Sequence, residues 1–318
     1  MDHLIAPGIW QIDTELGGWH ELNSVFLIEG ARPCLVETGP QKDFEKVLAG
    51  LAARGLGADD LAYVVLTHIH LDHGGAVGEI AAHFPRAEVI CHPKGVRHLA
   101  DPARLVAAAG QVYGPNLDAL YGTMTAVDPS QLRAAEDMES LDLGAGRQVT
   151  LVYSPGHAKH HIAVLDDATG VLLVGDAVGV KVPGGGPLRP AMPPDDFELA
   201  LALGSLHRFA KLKPTQVVLT HFGPAGDPQE ALEEAEATMS RWCRVAEQAY
   251  LEEPSIEHIE RALLERVYDP ATEPDRQPVV DALNGVTSNA AGMYGWLNRR
   301  HAAGDFGTGP QAAPEQPR

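Results

Sequence analysis

Apolar and polar positions alternate along the first two thirds of this chain in short blocks that predict strands and helices in turn. Apolar runs bounded by turn residues predict strands over 8–12, 23–28 and 34–37. Between 42 and 54, Phe44, Val47, Leu48 and Leu51 follow helical spacing. The run LAYVVLT over 61–67 is continuously apolar, which predicts a buried strand leading straight into His68. Residues 74–84 read as helix and 88–91 as strand. From 93 to 140 the pattern loses its regularity, with short helical stretches broken at Gly110, Gly114, Pro115, Gly122 and Pro129; it reads as an insertion able to wall a pocket.

Strands resume over 148–153, 162–165 and 171–174. Residues 182–194 hold three consecutive glycines and five prolines and must form a loop. Asp195 is then expected to cap a helix reaching Lys211, and 216–219 predicts a last strand. Beyond Gly226 the pattern is helical over 228–250, 255–267 and 277–301. The expected organisation is a catalytic domain over 1–226, a helical C-terminal region over 227–304 and a disordered tail over 305–318, rich in Gly, Pro and polar residues.

The 318 residues carry 24 Lys plus Arg against 43 Asp plus Glu, a formal charge of −19. Nucleic-acid binding normally starts from a basic patch, so the balance argues against DNA or RNA as partner. No apolar run approaches the roughly 20 residues that span a bilayer, so no membrane partner is expected. The N-terminus shows no basic stretch followed by an apolar one, and Cys34, Cys91 and Cys243 lie far apart without CxxC spacing. Both features predict a cytoplasmic protein with reduced thiols.

The chemistry is concentrated in THIHLDHGG over 67–75, where His68, His70, Asp72 and His73 follow a buried strand. Imidazole with carboxylate suits zinc, manganese or iron. Three more residues of metal-ligand type each follow a strand of their own: His157 after LVYSPG, Asp176 after VLLVG, and His221 after VVLT. Short turns at strand ends can converge side chains on one point, so four such ends predict a shared site. No GxSxG elbow, P-loop or dinucleotide fingerprint competes with it.

In order along the chain, HIHLDH at 68–73, PGH at 155–157, GDA at 175–177 and THFGP at 220–224 resemble the motifs of the metallo-β-lactamase superfamily. In the first motif Glu37, in VETGP, stands where some members carry Asp. The resemblance covers about residues 8–226, with SPGHAKHH and the helical C-terminus similar to a glyoxalase II-like branch. It implies an α/β fold, a four-layer αβ/βα sandwich with a C-terminal helical extension and the metals at one edge of two packed sheets. It also implies that His68, His70 and His157 bind one ion, that Asp72, His73 and His221 bind a second, and that Asp176 bridges both. Two divalent ions, zinc first and manganese or iron otherwise, would share a hydroxide that attacks a carbonyl or phosphoryl centre. Asp72 is the candidate catalytic carboxylate, and Glu37 would orient a ligand.

The expected activity is therefore metal-dependent hydrolysis of a small-molecule ester, lactone or thioester. The alternatives are an iron-dependent redox enzyme resembling persulfide dioxygenases, a phosphodiesterase, and a non-catalytic binding protein. The acidic 228–270 region argues against glutathione thioesters. The stretch AVGVKVPGG after Asp176 lacks the tyrosine that lactonase members carry there. His160 and His161 are left between a pocket role and a merely packed one, Thr67 and Thr220 between bracing a ligand and packing. His92 and the aromatics Trp242, Tyr250, Tyr268, Tyr294 and Trp296 read as structural. Small residues over 288–300 let that helix lie close against its own sandwich or against a partner subunit, so a homodimer is admitted.

Overall fold

A computed structural model describes residues 3–114 and 116–305. The chain begins with four strands, β1 (His3–Ala6), β2 (Ile9–Asp13), β3 (Ser24–Ile28) and β4 (Cys34–Val36), followed by helix α1 (Phe44–Ala53) and β5 (Tyr63–Val65). Helices α2 (Leu71–Gly74) and α3 (Val77–His83) precede β6 (Glu88–Cys91), and α4 (Pro93–Ala100), α5 (Ala103–Tyr113) and α6 (Asn116–Leu120) precede β7 (Leu132–Ala134). These seven strands form one sheet in sequence order, antiparallel from β1 to β4 and parallel from β4 to β7.

The second sheet has the order β13-β12-β11-β10-β9-β8. Its strands are β8 (Glu139–Gly144), β9 (Arg147–Tyr153), β10 (Ile162–Asp166), β11 (Val171–Leu173), β12 (Gln216–Leu219) and β13 (Gly223–Pro224), with α7 (Leu199–Leu212) between β11 and β12. Helices α8 (Pro228–Glu252), α9 (Ile256–Arg266), α10 (Gln277–Asn284) and α11 (Val286–Ala303) complete the described chain.

Period-two alternation assigns each strand's side chains to two cores. In β3, Phe26 and Ile28 enter the core between the sheets, whereas Val25 and Leu27 face the outer core with Val47, Leu51 and Ile80. In β11, Val171 and Leu173 point to the inner core and Leu172 meets Leu206 and Phe209 of α7. Both faces of the central strands are buried, which is why they read as continuous apolar runs. The order helix, sheet, sheet, helix is the four-layer sandwich. Each fully buried Val, Leu, Ile or Phe contributes roughly 1.5–3 kcal/mol. A further core of Trp242, Ile259, Met293 and Trp296 joins α8, α9 and α11.

Several local expectations need correction. The end of the 93–140 segment, read as short helical stretches and breaks, is strand: β7 and β8 are the edges of the two sheets. Strand β1 lies at the opposite edge of the first sheet, in a stretch whose residues are exposed or half-buried and gave no periodic signal. Asp195 does not cap α7, because its φ of 67° turns the chain and Glu198 takes the capping position. The stretch 277–301 is two helices that break at Gly285. The tail expected to be disordered lies, apart from Asp305, outside the described residues. Among those described, no helix is long and apolar enough to cross a membrane.

Candidate metal centre

The strand ends carrying His68, Asp176 and His221 meet at one edge of the sandwich because backbone hydrogen bonds stitch the two sheets together there. Ile162 N–H donates to the Thr67 carbonyl at 2.7 Å, and Ser24 N–H to the Thr220 carbonyl at 3.1 Å. Glycines allow the chain to pass closely. Gly175 has φ +50°, and a Cβ there would lie 2.5 Å from Thr67 Oγ1 and 2.6 Å from His161 Nε2.

The side chains expected to act together do converge. Two groups whose donor atoms lie within 4.8 Å of one another are His68, His70 and His157, and Asp72, His73 and His221. In the first, His70 Nδ1 stands 3.0 Å from His68 Nε2 and 3.1 Å from His157 Nε2. In the second, His221 Nε2 is 3.3 Å from His73 Nε2, and both nitrogens are 3.6 Å from Asp72 Oδ2. Asp176 lies between the groups. Its Oδ2 is 3.6 Å from His157 Nε2, and its Oδ1 is 3.5 Å from both His73 Nε2 and His221 Nε2.

A ring of partners fixes which nitrogen each imidazole presents. His157 Nδ1 donates to the Ala191 carbonyl at 2.9 Å and His221 Nδ1 to the Leu22 carbonyl at 2.8 Å. Glu37 accepts from His73 Nδ1 at 3.2 Å, from Thr67 N–H at 3.3 Å and from the Thr67 hydroxyl. That hydroxyl in turn accepts from His68 Nδ1 at 3.0 Å. Every one of these Nδ1–H groups is occupied outward, leaving Nε2 lone pairs aimed inward.

The electrostatics follow from burial and crowding. Burial and the neighbouring rings hold His68 well below the ordinary imidazole range, and burial with His157 and His160 pushes His70 down to about 3. Burial also pulls His73 and His221 downward. For both, nearby carboxylates, Asp176 foremost, outweigh burial and raise them. Asp176 is buried, which alone would raise it, yet His73 and His221 hold it well below the carboxylate range.

This donor set suits divalent ions. Tetrahedral coordination at about 2.0–2.1 Å places neighbouring ligand atoms about 3.4 Å apart, and the spacings here run from 3.0 to 3.6 Å. Asp176 Oδ1 is buried without a hydrogen-bond partner, an orphaned acceptor that a cation would satisfy. The neutral imidazoles of His68, His70 and His157, crowded nitrogen to nitrogen, repel unless something positive lies among them.

The sequence pattern of the metallo-beta-lactamase superfamily matches residues 17–221, well over half of the chain. The chain belongs to that superfamily. A metallo-beta-lactamase fold-containing protein, ST1585 of Sulfurisphaera tokodaii, is 33% identical over 168 residues, 52% of this chain and 62% of that protein. This chain thus matches less than two thirds of that relative's length in sequence. The crystal structure of ST1585 superposes with a TM-score of 0.69 at 25% identity, covering 90% of this chain and 98% of that one. TTHA1429 of Thermus thermophilus, a metallo-beta-lactamase family protein, shares the fold at TM-score 0.66 and 22% identity, over 94% and 96% of the two chains. A Bos taurus protein named acyl-coenzyme A thioesterase MBLAC2 is 30% identical over 188 residues, 55% of this superfamily member and 64% of that protein.

Residues whose roles the sequence left open are now separated. His161 is fully buried; its Nδ1 donates to Ser154 Oγ at 2.8 Å and its Nε2 accepts from the Asp176 N–H at 3.3 Å. His160 instead lines the cavity beside His70, with Nε2 3.6 Å from Asp196 Oδ2. Thr67 braces Glu37 and His68, whereas the Thr220 hydroxyl has no hydrogen-bond partner. His92 caps α4 by accepting from Lys94 N–H at 3.1 Å. Trp242, Tyr250 and Trp296 are buried in the helical core.

Other contributors escaped sequence reasoning. Tyr113 of α5 and Ser288 of α11 wall the site, and nothing in their local sequence marks them. Asn289 of α11 accepts from Met192 N–H at 2.8 Å and so pins the loop whose Ala191 carbonyl holds His157. The small residues of α11 serve this approach within the chain: a Cβ at Gly292 would lie 2.0 Å from the Met192 carbonyl oxygen.

Proposed function

We propose that this chain is a binuclear metal-dependent hydrolase of small-molecule esters, lactones or thioesters, working in the cytoplasm. The observation that carries the reading is the position of Asp176, with one carboxylate oxygen toward the His68, His70 and His157 group and the other toward His73 and His221. His68, His70 and His157 would hold one ion, Asp72, His73 and His221 the other, and Asp176 both. Zinc is the ion we assign, because imidazole nitrogens dominate the set and the spacing is tetrahedral. When bound, such ions supply a Lewis acid for a carbonyl oxygen and lower the pKa of water toward neutrality.

The chain's own groups orient and exclude. Glu37, Thr67 and His161 hold the ligands in register. Asp72, with 13% of its side chain exposed, lines both cavities at the centre. We assign it to orienting the water and passing a proton to the leaving group. Cleavage of the thioester bond, apart from the carrier, draws support from the relative named as an acyl-coenzyme A thioesterase. The three cysteines are free and buried, which agrees with a reducing compartment.

The test is metal content of protein purified without added metal, beside Asp176→Ala and His157→Ala, together with ester, lactone and thioester assays. About two zinc ions per chain, depleted in both variants, is the expected result. One iron per chain would move the assignment to oxygen chemistry, and no bound metal after reconstitution would end it.

A further inference from the structure

Two cavities are lined by residues of the centre and a third adjoins them, with Tyr113 and Ser288 in the walls of all three. The innermost, about 50 Å³, contains Asp72 and Asp176. The second, about 330 Å³, runs between the apolar side chains of Leu71, Leu105, Ala108 and Ala109 and ends at Asp195 and Asp196. The third, about 720 Å³, lies against α9 to α11 and carries Glu260 and Asp281. Among the described residues lining these spaces there is no Lys or Arg. The cations close by are already engaged, among them Arg299, which donates to the Phe197 carbonyl. Lys159 Nζ is 3.1 Å from Asp196 Oδ1, and the buried Arg189 reaches Asp281 at 3.6 Å.

We infer that this site selects by charge: it takes a neutral or ammonium-bearing ester or thioester with an apolar acyl chain and rejects phosphorylated or carboxylated carriers. The inference rests on the hydrolase reading above and narrows its substrate class. Two divalent ions in the centre would more than offset Asp72 and Asp176, and Asp196 and Asp281 are paired with Lys159 and Arg189. The walls beyond the centre, where the rest of a substrate must lie, keep Asp195 and Glu260, which make no ion pair among the described residues. Clefts of one sign focus their field, and an anionic group placed there sits within the screening length of about 8 Å at physiological salt. The apolar wall of the second cavity accepts an acyl chain, whereas a carrier such as coenzyme A would bring its phosphates against carboxylates with no Lys or Arg among the described lining residues to meet them.

The experiment uses three aryl esters matched in acyl length and ending in methyl, ammonium or carboxylate, with the metal-loaded enzyme at low and high salt. Expected is a kcat/KM for the carboxylate ester at least ~10-fold below the other two at low salt, with the gap closing as salt rises. The double variant Asp195→Asn with Glu260→Gln is expected to shrink the methyl-to-carboxylate ratio by roughly 3-fold or more. Equal rates for the three esters, or a ratio unmoved by the double variant, would overturn the inference. If none of the esters is hydrolysed, the hydrolase reading falls instead. Charge selection is then read from calorimetric binding of the matched amides: weaker binding of the carboxylate amide upholds it, and equal binding removes it.

Discussion

Glu37 accepts a hydrogen bond from His73 Nδ1 at 3.2 Å, and both side chains are fully buried. The bond turns His73 Nε2 toward Asp72 and Asp176, and the same carboxylate holds Thr67, which holds His68. One acid thereby orients an imidazole in each half of the cluster. Glu37→Gln keeps an acceptor for one partner but brings an N–H against others. It is expected to weaken metal retention by about 10–100-fold, measured by competition with a chromophoric chelator. Unchanged retention would mean that packing alone orients His73.

His161 acts through Asp176. As a neutral imidazole it donates to Ser154 and accepts from the Asp176 N–H, and burial, with His157 adding, keeps it well below the ordinary range. His161→Ala strands both partners. Expected are a stability loss of about 1–3 kcal/mol in denaturant titrations and a lower metal content. Stability and metal content both at parental levels would show that water replaces the ring.

Gly156 precedes His157 with φ +143°, and a Cβ there would lie 2.3 Å from the Ala202 Cα of α7. Backbone cannot yield as a flexible side chain can. Gly156→Ala should cost at least about 2 kcal/mol from overpacking and left-handed strain together. It should also loosen His157 from Ala191, seen as lost metal at a temperature where the fold persists. A variant as stable as the parent would show that α7 shifts freely.

Asp43, which precedes α1, is buried with Oδ2 lacking a hydrogen-bond partner. Burial raises its carboxyl to about 7 from an ordinary 3.8, with Lys46 opposing and Glu15 adding. The native chain therefore holds this proton more tightly than the unfolded chain. The contribution is complete below about pH 4 and is lost as pH rises through about 7. Asp43→Asn should match the parent below about pH 4 and exceed it at pH 8 by about 1 kcal/mol or more. The difference between the two proteins at each pH, from urea midpoints, is the measurement. A gain that is equal at both pH values would remove the protonation account.

Much of this was legible in the chain because its determinants are local. His68, His70, Asp72 and His73 share one turn, and Pro155, Gly156 and His157 or Gly175 and Asp176 follow continuous apolar runs whose burial on two faces is written in their composition. Those runs fixed the central strands and hence the converging ends. Edge strands escaped because they bury little: β7 has no buried residue, and the alternating Leu141 and Leu143 of β8 follow a segment dominated by Gly and Pro breaks. Only the tertiary structure distinguished His160 from His161, neighbours with the same side chain and different surroundings. It alone brought Tyr113 and Ser288 to the site, and it alone supplied the Leu22 and Ala191 carbonyls, which any residue could offer. Ligand type and strand placement are properties of short segments. Tautomer, cavity wall and charge selection depend on contacts between residues far apart in sequence, such as the 199 positions between Leu22 and His221, which periodicity does not encode.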